Sequence, residues 1–287
     1  MSQQLSAVLQ AASRKTPLIM GILNVTPDSF SDGGRLTQPT RFCETALAMQ
    51  SAGAQLLDVG GESTRPGAEP VSELEELDRV MPAIEWLKTE TDVWVSVDTT
   101  KPAVMIEALK QGVDLVNDVH ALQAPGALDA VKASDCSVCL MHHPGSLKQM
   151  HTTEVYDPDV VTVVSNFLQQ RAAVCEQAGI DQHRLILDPG FGFGKTQEQN
   201  VALFQSIDQL AQLPYPILVG VSRKRMIGAL SGVAVADQRQ AGSVAAAVVA
   251  MQQGASVIRV HDVAMTSQAL KVAQALMPMT DSPTLGS

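Results

Sequence analysis

"VWVSVDTTKPAVMIEALKQGVDLVNDV", residues 93–119, contains the pattern from which the architecture of this chain can be predicted. It contains two short apolar runs, 93–99 and 115–119, separated by a segment with Pro near its start and Gly just past its end. That order of Pro and Gly is typical of a helix. Apolar runs of this length without alternation are typical of strands buried on both faces of a parallel sheet. The stretch therefore predicts a strand–helix–strand unit.

The same unit recurs along the chain. Six further apolar runs are each followed by a polar turn and a helical pattern: 18–25, 55–61, 137–143, 184–190, 216–222 and 257–262. Eight such repeats in 287 residues predict an α/β protein with a single (β/α)₈ TIM-barrel domain. Residues 1–15 are expected to be an N-terminal extension and 278–287 a C-terminal tail. The alternative, an open doubly wound sheet, needs a Gly-rich turn after its first strand, and "NVTPDSFSDGG" (24–34) is not one.

Composition excludes several classes of function. A net charge of −10 and only 3% aromatic residues argue against a nucleic-acid-binding protein. No segment approaches the roughly 20 apolar residues of a membrane span, and the N-terminus does not resemble a signal peptide, so a cytoplasmic protein without membrane contact is expected.

Cysteine and histidine spacing offers no strong metal or redox motif. Cys136 and Cys139 form a single C-x-x-C, with no second pair and no helix opening at the first cysteine, which favours two buried thiols. His142, His143 and His151 lack the spacing of a metal motif and are predicted to be polar or structural.

Candidate site residues follow the strands. In a barrel, functional side chains lie at the carboxyl ends of the strands. Asp98, Asn117 and Asp188 stand at such ends, in apolar surroundings where polar groups need partners. They suit a flat heterocycle with an amino group and ring N–H donors. The alternative is that they bond each other or loop amides.

Two Gly- or cation-rich segments need separate interpretation. "DPGFGFGKT" (188–196) is not a P-loop, because Pro189 occupies the first Gly position. Its glycines are predicted to let the backbone bend close to a ligand, and Lys195 to be a solvated loop lysine. In "LVGVSRKRMIGAL" (218–230), Ser222 is predicted to cap a helix, which puts three cations in the first turn, where they are disfavoured unless an anion binds there.

Eight segments between residues 18 and 262 resemble dihydropteroate synthases, in the order found in that family. They are "MGILNVTPDSFSDGG", "DVGGESTRPGA", "VSVDT", "NDV", "LMH", "LDPGFGFGK", "GVSRK" and "IRVHD". The family consists of (β/α)₈ barrels that join 6-hydroxymethyl-7,8-dihydropterin pyrophosphate to p-aminobenzoate, producing dihydropteroate and pyrophosphate for folate synthesis. Sulfonamides inhibit it. Departures at His120, His143-Pro144 and Arg225 concern loop details and drug sensitivity more than the reaction.

The resemblance implies a role for each matching residue. The pterin would contact Asp98, Asn117, Met141, Asp188, Lys224 and Arg259, the last by a cation–π contact. The pyrophosphate would contact Asn24, Arg65, Arg259 and His261, with Asn24 also holding Mg²⁺. The p-aminobenzoate would contact Thr64, Pro66, Phe193 and Ser222, and we expect Arg225 beside its carboxylate. Catalysis would rest on Asp98, Asn24, Lys224 and Arg65.

The implied mechanism is dissociative. Pyrophosphate leaves first while Mg²⁺ neutralises its charge, and the aniline nitrogen then attacks the pterin methylene cation that Asp98 stabilises. Residues 26–35 and 62–69 are expected to be mobile until pyrophosphate binds. A homodimer is expected, with the Ala/Val-rich helix 243–251 packed against another subunit.

Two other functions are compatible with part of the pattern. A folate-dependent methyltransferase barrel would share the pterin pocket, and a non-catalytic paralogue would bind pterin without turnover. Release of pyrophosphate distinguishes both from a synthase.

Overall fold

The computed structural model describes residues 4–11, 16–25, 41–62, 71–144 and 159–277. Within them, strands and helices alternate. The strands are β1 (Leu18–Asn24), β2 (Leu56–Gly60), β3 (Trp94–Asp98), β4 (Leu115–Asp118), β5 (Ser137–Met141), β6 (Leu185–Asp188), β7 (Leu218–Val219) and β8 (Val257–Val260). The helices are α1 (Leu5–Ala11), α2 (Arg41–Ala52), α3 (Glu73–Glu90), α4 (Pro102–Lys110), α5 (Ala127–Lys132), α6 (Val160–Gln177), α7 (Gln197–Gln205), α8 (Ile207–Leu210), α9 (Arg225–Ser231), α10 (Gln240–Gln252) and α11 (Val263–Leu276).

The eight strands among the described residues form one parallel sheet in the order β6-β5-β4-β3-β2-β1-β8-β7. A parallel bridge between Leu187 and Ile217 joins the two outermost strands and closes the circle. The predicted (β/α)₈ barrel is therefore confirmed, and each predicted apolar run contains a strand. The open-sheet alternative is wrong, because a doubly wound sheet leaves its outer strands unpaired to each other.

The amino end of the barrel is filled with apolar side chains. Leu5 and Leu9 of α1, inside the predicted N-terminal extension, are buried in a cluster with barrel residues. The barrel members of that cluster are Leu18, Met20, Leu56, Leu115, Cys139, Ile186, Leu218 and Val257. Each buried leucine stabilises the fold by about 1.5–3 kcal/mol, so α1 closes the barrel floor.

Strand register brings the polar residues to the opposite end. Asn24, Gly60 and Asp98 are neighbours across β1, β2 and β3, and Asn117 pairs with Asp98 across β3 and β4. Parallel strands all end on one face, so these positions meet at the carboxyl end of the barrel.

The cysteine prediction is confirmed. Cys136 and Cys139 are buried free thiols, as are the two other cysteines of the chain. Burial raises the pKa of Cys136 to about 12, so the thiol stays protonated and unreactive at neutral pH.

Among the described helices, none combines the length and apolar character needed to cross a membrane.

Candidate active site

A largely buried group of charges is formed by Asp58 in the middle of β2, Asp98 at the carboxyl end of β3 and Arg259 of β8. Arg259 Nε donates to Asp58 Oδ2 at 2.6 Å, and its Nη2 donates to Asp98 Oδ2 at 2.8 Å. Asp58 also accepts from Ser96 Oγ at 2.5 Å and from Asn117 Nδ2 at 3.1 Å. Asp58 thus fixes the positions of the Arg259 guanidinium and the Asn117 amide.

Burial sets the protonation of this group. It raises the pKa of Asp98 to about 7, with Arg259 opposing the rise and Asp58 adding to it. Burial also disfavours the charge of Arg259, but Asp58 and Asp98 outweigh it and raise the pKa of the guanidinium. Near neutral pH, Asp98 therefore exchanges between charged and protonated forms while Arg259 stays cationic.

Asp188 ends β6 at a sharp turn. Its Oδ1 accepts from Gly190 N at 2.7 Å. Gly190 has φ +70°, and a Cβ there would stand 1.8 Å from His142 O, so no side chain fits. Burial raises the pKa of Asp188, with Lys224 and Gly190 N opposing it. Gly190 thus lets the backbone bend close to the His142 carbonyl, and the approach of these glycines to a ligand stays a prediction.

Lys224 faces the same turn. Its Nζ donates to Phe191 O and lies 4.4 Å from the centroid of the Phe193 ring. Burial lowers the pKa of Lys224 to about 8, with Asp188 opposing. Phe193 packs with Val119 and Met141 in a small buried apolar cluster. The apolar cluster around Phe193, the carboxylates and amide of Asp98, Asn117 and Asp188, and the ammonium of Lys224 lie together. This combination is complementary to a flat heterocycle that carries N–H donors.

Comparison with known proteins agrees with this geometry. The model of the pterin binding enzyme family matches residues 20–261. The dihydropteroate synthase of Escherichia coli (strain K12) is 48% identical over 261 residues, covering 91% of this chain and 92% of its own. This chain belongs to the dihydropteroate synthase family.

Solved structures of the family share the whole fold. The dihydropteroate synthase of Xanthomonas albilineans with 4-aminobenzoic acid superposes with a TM-score of 0.84 at 50% identity, covering 93% of this chain and 96% of that one. The Yersinia pestis enzyme in complex with a sulfonamide drug gives a TM-score of 0.84 at 49% identity, covering 92% and 95%. Both matches extend over nearly the full barrel.

The family resemblance assigned roles to residues that the structure now locates. The following lie at the carboxyl end of the barrel, on strand ends or the turns after them: Asn24, Asp98, Asn117, Met141, Asp188, Phe193, Ser222, Lys224, Arg259 and His261. Three further residues, Thr64, Arg65 and Pro66, lie outside the described residues. So do residues 26–35 and 63–69 of the two segments expected to be mobile, and His151.

The prediction that Ser222 caps a helix is wrong. Helix α9 begins at Arg225, and Lys224 is its N-cap. Ser222 is buried, and its Oγ accepts from His261 N at 3.2 Å and lies 3.0 Å from His261 Nδ1. The chain makes a turn first, because Lys224 N donates back to Val221 O.

The three consecutive cations therefore do not share a first helical turn. Arg223, at φ +58°, forms ion pairs with Asp262 at 2.5 Å and Asp237 at 2.8 Å. Lys224 points to the turn after β6, and Arg225 is exposed. Arg223 thus has protein carboxylates as partners, which removes it from the set of cations expected to face substrate.

The prediction that Lys195 is solvated is also wrong. Its ammonium nitrogen is buried and lies 2.8 Å from Gly190 O, 3.2 Å from Phe193 O and 3.0 Å from His142 Nδ1. Burial lowers the pKa of Lys195 to about 7. The local sequence does not show this burial, because one of the acceptors, His142, lies 53 positions away, directly after β5.

Histidines near the site are held neutral. Burial lowers the pKa of His142 to about 2, and it also lowers that of His120 and His143. Within the described part of the chain, no group of three or more His, Cys, Asp or Glu side chains could hold a metal ion.

Asp58 and Ser96 are contributors to which sequence analysis assigned no role. Both are fully buried polar residues inside apolar strands and occupy paired positions on β2 and β3. Asp58 stands inside an apolar run of the sequence, and a buried carboxylate needs a polar or charged partner. That pattern could have predicted a role for Asp58 in the site.

Proposed function

We propose that this protein condenses 6-hydroxymethyl-7,8-dihydropterin pyrophosphate with p-aminobenzoate to give 7,8-dihydropteroate and pyrophosphate. The observation that carries the proposal is the convergence of Asp98, Asn117 and Asp188 beside Lys224 at the carboxyl end of a barrel of this family. The acceptors of this site suit the N–H donors of a heterocycle, and the ammonium of Lys224 adds a donor for an acceptor on the same ring.

Recognition of the pterin follows from hydrogen-bond complementarity. The amino group and ring N–H groups of a pterin are donors, and the carboxylates of Asp98 and Asp188 accept. Lys224 donates to an acceptor on the ring rim. The guanidinium of Arg259, fixed by Asp58, lies flat against the ring face, where a cation is attracted to a π system.

Magnesium fits the residues at the end of β1. Gly60 carries no side chain, and Asn24 Oδ1 and Asp98 Oδ2 each lie 3.9 Å from the place its Cβ would take. Mg²⁺ prefers oxygen ligands and keeps several waters or phosphate oxygens, so one or two protein oxygens suffice. Asn24 would hold the ion together with the diphosphate, and the bound ion would neutralise charge on the leaving group.

The chain's own residues then support a dissociative reaction. Ionised Asp98 stabilises the cation left on the pterin methylene, and Arg65, Arg259 and His261 bind the departing diphosphate. Ser222 orients His261, since its hydroxyl contacts both the backbone N and Nδ1 of that residue. The aniline nitrogen of p-aminobenzoate attacks the methylene from a site formed by Thr64, Pro66, Phe193 and Ser222, with Arg225 at its mouth.

The deciding experiment measures products. Purified protein supplied with both substrates and Mg²⁺ should release pyrophosphate and form dihydropteroate in equal amounts. A folate-dependent methyltransferase would release no pyrophosphate, and a non-catalytic paralogue would bind the pterin without turnover. Undiminished turnover in excess chelator would remove the metal from the proposal while leaving the reaction intact.

Inhibition, assembly and location complete the proposal. A sulfonamide should compete with p-aminobenzoate, as the drug complex of the Yersinia pestis relative suggests. Exposed apolar side chains on α10 and α11, including Val249, Met265 and Val272, favour a homodimer through these helices. Four free buried thiols are compatible with the reducing cytoplasm. Light scattering tests the dimer.

A further inference from the structure

The buried ammonium of Lys195 has no role among those that the family resemblance assigns. A lysine ammonium carries three protons, and three acceptors surround this one: Gly190 O at 2.8 Å, His142 Nδ1 at 3.0 Å and Phe193 O at 3.2 Å. His142 is neutral because burial lowers its pKa to about 2, so Nδ1 is able to accept. Burial lowers the pKa of Lys195 to about 7; in its protonated form, with His142 in the tautomer that leaves Nδ1 free to accept, every proton of the ammonium has a partner.

Two of those acceptors belong to the turn that builds the pterin pocket. Gly190 donates its N–H to Asp188, and Phe193 provides the ring beside Lys224. Between them, Phe191 O accepts from Lys224. The two carbonyls that Lys195 binds thus lie on either side of the Phe191 carbonyl that accepts from Lys224, and one of them belongs to Gly190, whose N–H supports Asp188.

We propose that Lys195 is a positioning residue for pterin recognition: by joining the Gly190 and Phe193 carbonyls to His142, it fixes the turn that orients Asp188 and Lys224. The inference rests on the proposed function, because it concerns the affinity for the pterin.

Electrostatics acts in the same direction. Lys224, Gly190 N and Arg259 oppose the rise in the pKa of Asp188 that burial causes, and the positive charge of Lys195 makes a smaller contribution in the same direction. An ionised Asp188 is the form that accepts from pterin N–H groups. Lys195 therefore helps both the geometry and the charge of the carboxylate without touching the substrate.

Contacts from Asn200 also stabilise this turn, so the protein should still fold when Lys195 is substituted. Asn200 Oδ1 accepts from Gly192 N at 2.7 Å, and Asn200 Nδ2 donates to Thr196 O at 2.7 Å. Thr196 and Gln199 also form a capping box at the start of α7. These contacts hold Gly192 and the start of α7 without Lys195, so loss of Lys195 should loosen the turn at Gly190 and Phe193 while the barrel remains folded.

Arg184 provides a matched control at the other end of β6. It is also buried, and it donates to Cys136 O at 2.7 Å and Val131 O at 2.8 Å, far from the pterin pocket. Lys195→Met and Arg184→Met each remove a buried cation and leave carbonyl acceptors without a donor. The comparison separates a general loss of stability from a specific loss of pterin affinity.

The experiment is calorimetric titration with 6-hydroxymethyl-7,8-dihydropterin, which lacks the leaving group, together with KM for both substrates and thermal unfolding. Lys195→Met should weaken pterin binding about tenfold or more, because stranded buried acceptors let the turn move. Its KM for p-aminobenzoate should rise by a smaller factor, because Phe193 is the residue of that site whose carbonyl Lys195 binds. Arg184→Met should lower Tm and leave pterin affinity intact.

A second variant guards against misfolding. Lys195→Gln keeps two N–H donors, so it should lose less pterin affinity than Lys195→Met and decides the matter if the latter does not fold. Wild-type protein that fails to bind the pterin would refute the proposed function itself. If the wild type binds and the folded Lys195 variants match its pterin affinity, or lose affinity for both substrates equally, Lys195 has no positioning role.

Discussion

The two ends of strand β6 use the same physical device for different purposes. Arg184 at its start and Lys195 just past its end are both buried cations whose donors are taken up largely by backbone carbonyls. Around Arg184, those carbonyls come from α5 and the start of β5, and the bonds join structural elements. Around Lys195, the bonded turn also carries Asp188 and faces Lys224. Both cations bind backbone carbonyls, so the type of hydrogen bond does not distinguish them. What differs is whether the segment that the cation binds also positions residues of the site.

The whole barrel shows the same contrast. Its amino end is filled by apolar side chains from α1 and the strands. At its carboxyl end, burial raises the pKa of Asp98 and Asp188 and lowers that of Lys195 and Lys224. Displaced pKa values concentrate at functional sites, because such charges are kept for binding or chemistry in spite of their cost.

The largest effect should follow from breaking the charge cluster at the carboxyl end. Arg259→Met leaves Asp58 and Asp98 buried without their cation, and removing one partner of a buried ion pair costs about 3–5 kcal/mol. We expect the free energy of unfolding in urea to fall by that amount, and pterin binding to be lost.

Its control is Arg223→Met. The Arg223 side chain is about as exposed as that of Arg259, 23% against 21%. Its partners Asp262 and Asp237 are 13% and 82% exposed, whereas Asp58 is fully buried, so the loss of stability should be smaller. Equal losses of stability in the two variants would show that the burial of the carboxylate partner Asp58 does not set the cost.

The amino end should respond with stability alone. Leu9→Ala opens a cavity in the apolar floor, which typically costs about 2–5 kcal/mol. The free energy of unfolding should fall, while KM for both substrates and kcat stay within about twofold of the wild type at a temperature where both proteins are folded. Selective loss of pterin affinity in Leu9→Ala would abolish the functional distinction between the two ends.

At the carboxyl end, pH should modulate binding more gently. Asp98 with a pKa of about 7 loses its charge as pH falls, so acceptance from the pterin weakens below about 7. As pH rises, Lys195 with a pKa of about 7 loses its proton first and supports the turn less well. Lys224 with a pKa of about 8 then loses its proton, so donation to the pterin weakens above about 8. The profile of kcat/KM for the pterin substrate, which reports the free enzyme, should be a bell with its maximum between these values.

Two variants assign the limbs of that bell. Asp98→Asn should be much less active but should lack the acid limb, and Lys224→Arg should move the alkaline limb upward because a guanidinium stays charged. A flat profile from pH 6 to 9 in the wild type would contradict the assignment of both groups.

The smallest effect is expected at the mouth of the site. Arg225 is exposed at the first turn of α9, where a charge contact is worth about 0–1 kcal/mol. Arg225→Ser should change the KM for p-aminobenzoate modestly and preserve the reaction. Arg225→Glu should raise that KM strongly through like charge, with the pterin site intact. An increase confined to the KM of the pterin pyrophosphate would instead place this residue beside the diphosphate.

Much of the site could be predicted from sequence because it depends on local pattern. The unalternating apolar runs around Val95 and Val116 determine buried parallel strands, and parallel strands bring their ends together. That rule alone placed Asp98, Asn117 and Asp188 on one face, and the structure confirms their positions. No knowledge of long-range packing was required.

Other features were decided only by tertiary structure, since they depend on partners far along the chain. Arg259 meets Asp58 across 201 positions, and Lys195 meets His142 across 53. The hydroxyl of Ser222 contacts His261 instead of capping α9, and Arg223 forms an ion pair with Asp262 instead of facing the site beside Lys224. Sequence determines which groups carry charge and which strands carry them. Whether a given charge is solvated, neutralised or held for a ligand is set by burial and by acceptors that only the folded chain brings within hydrogen-bond distance.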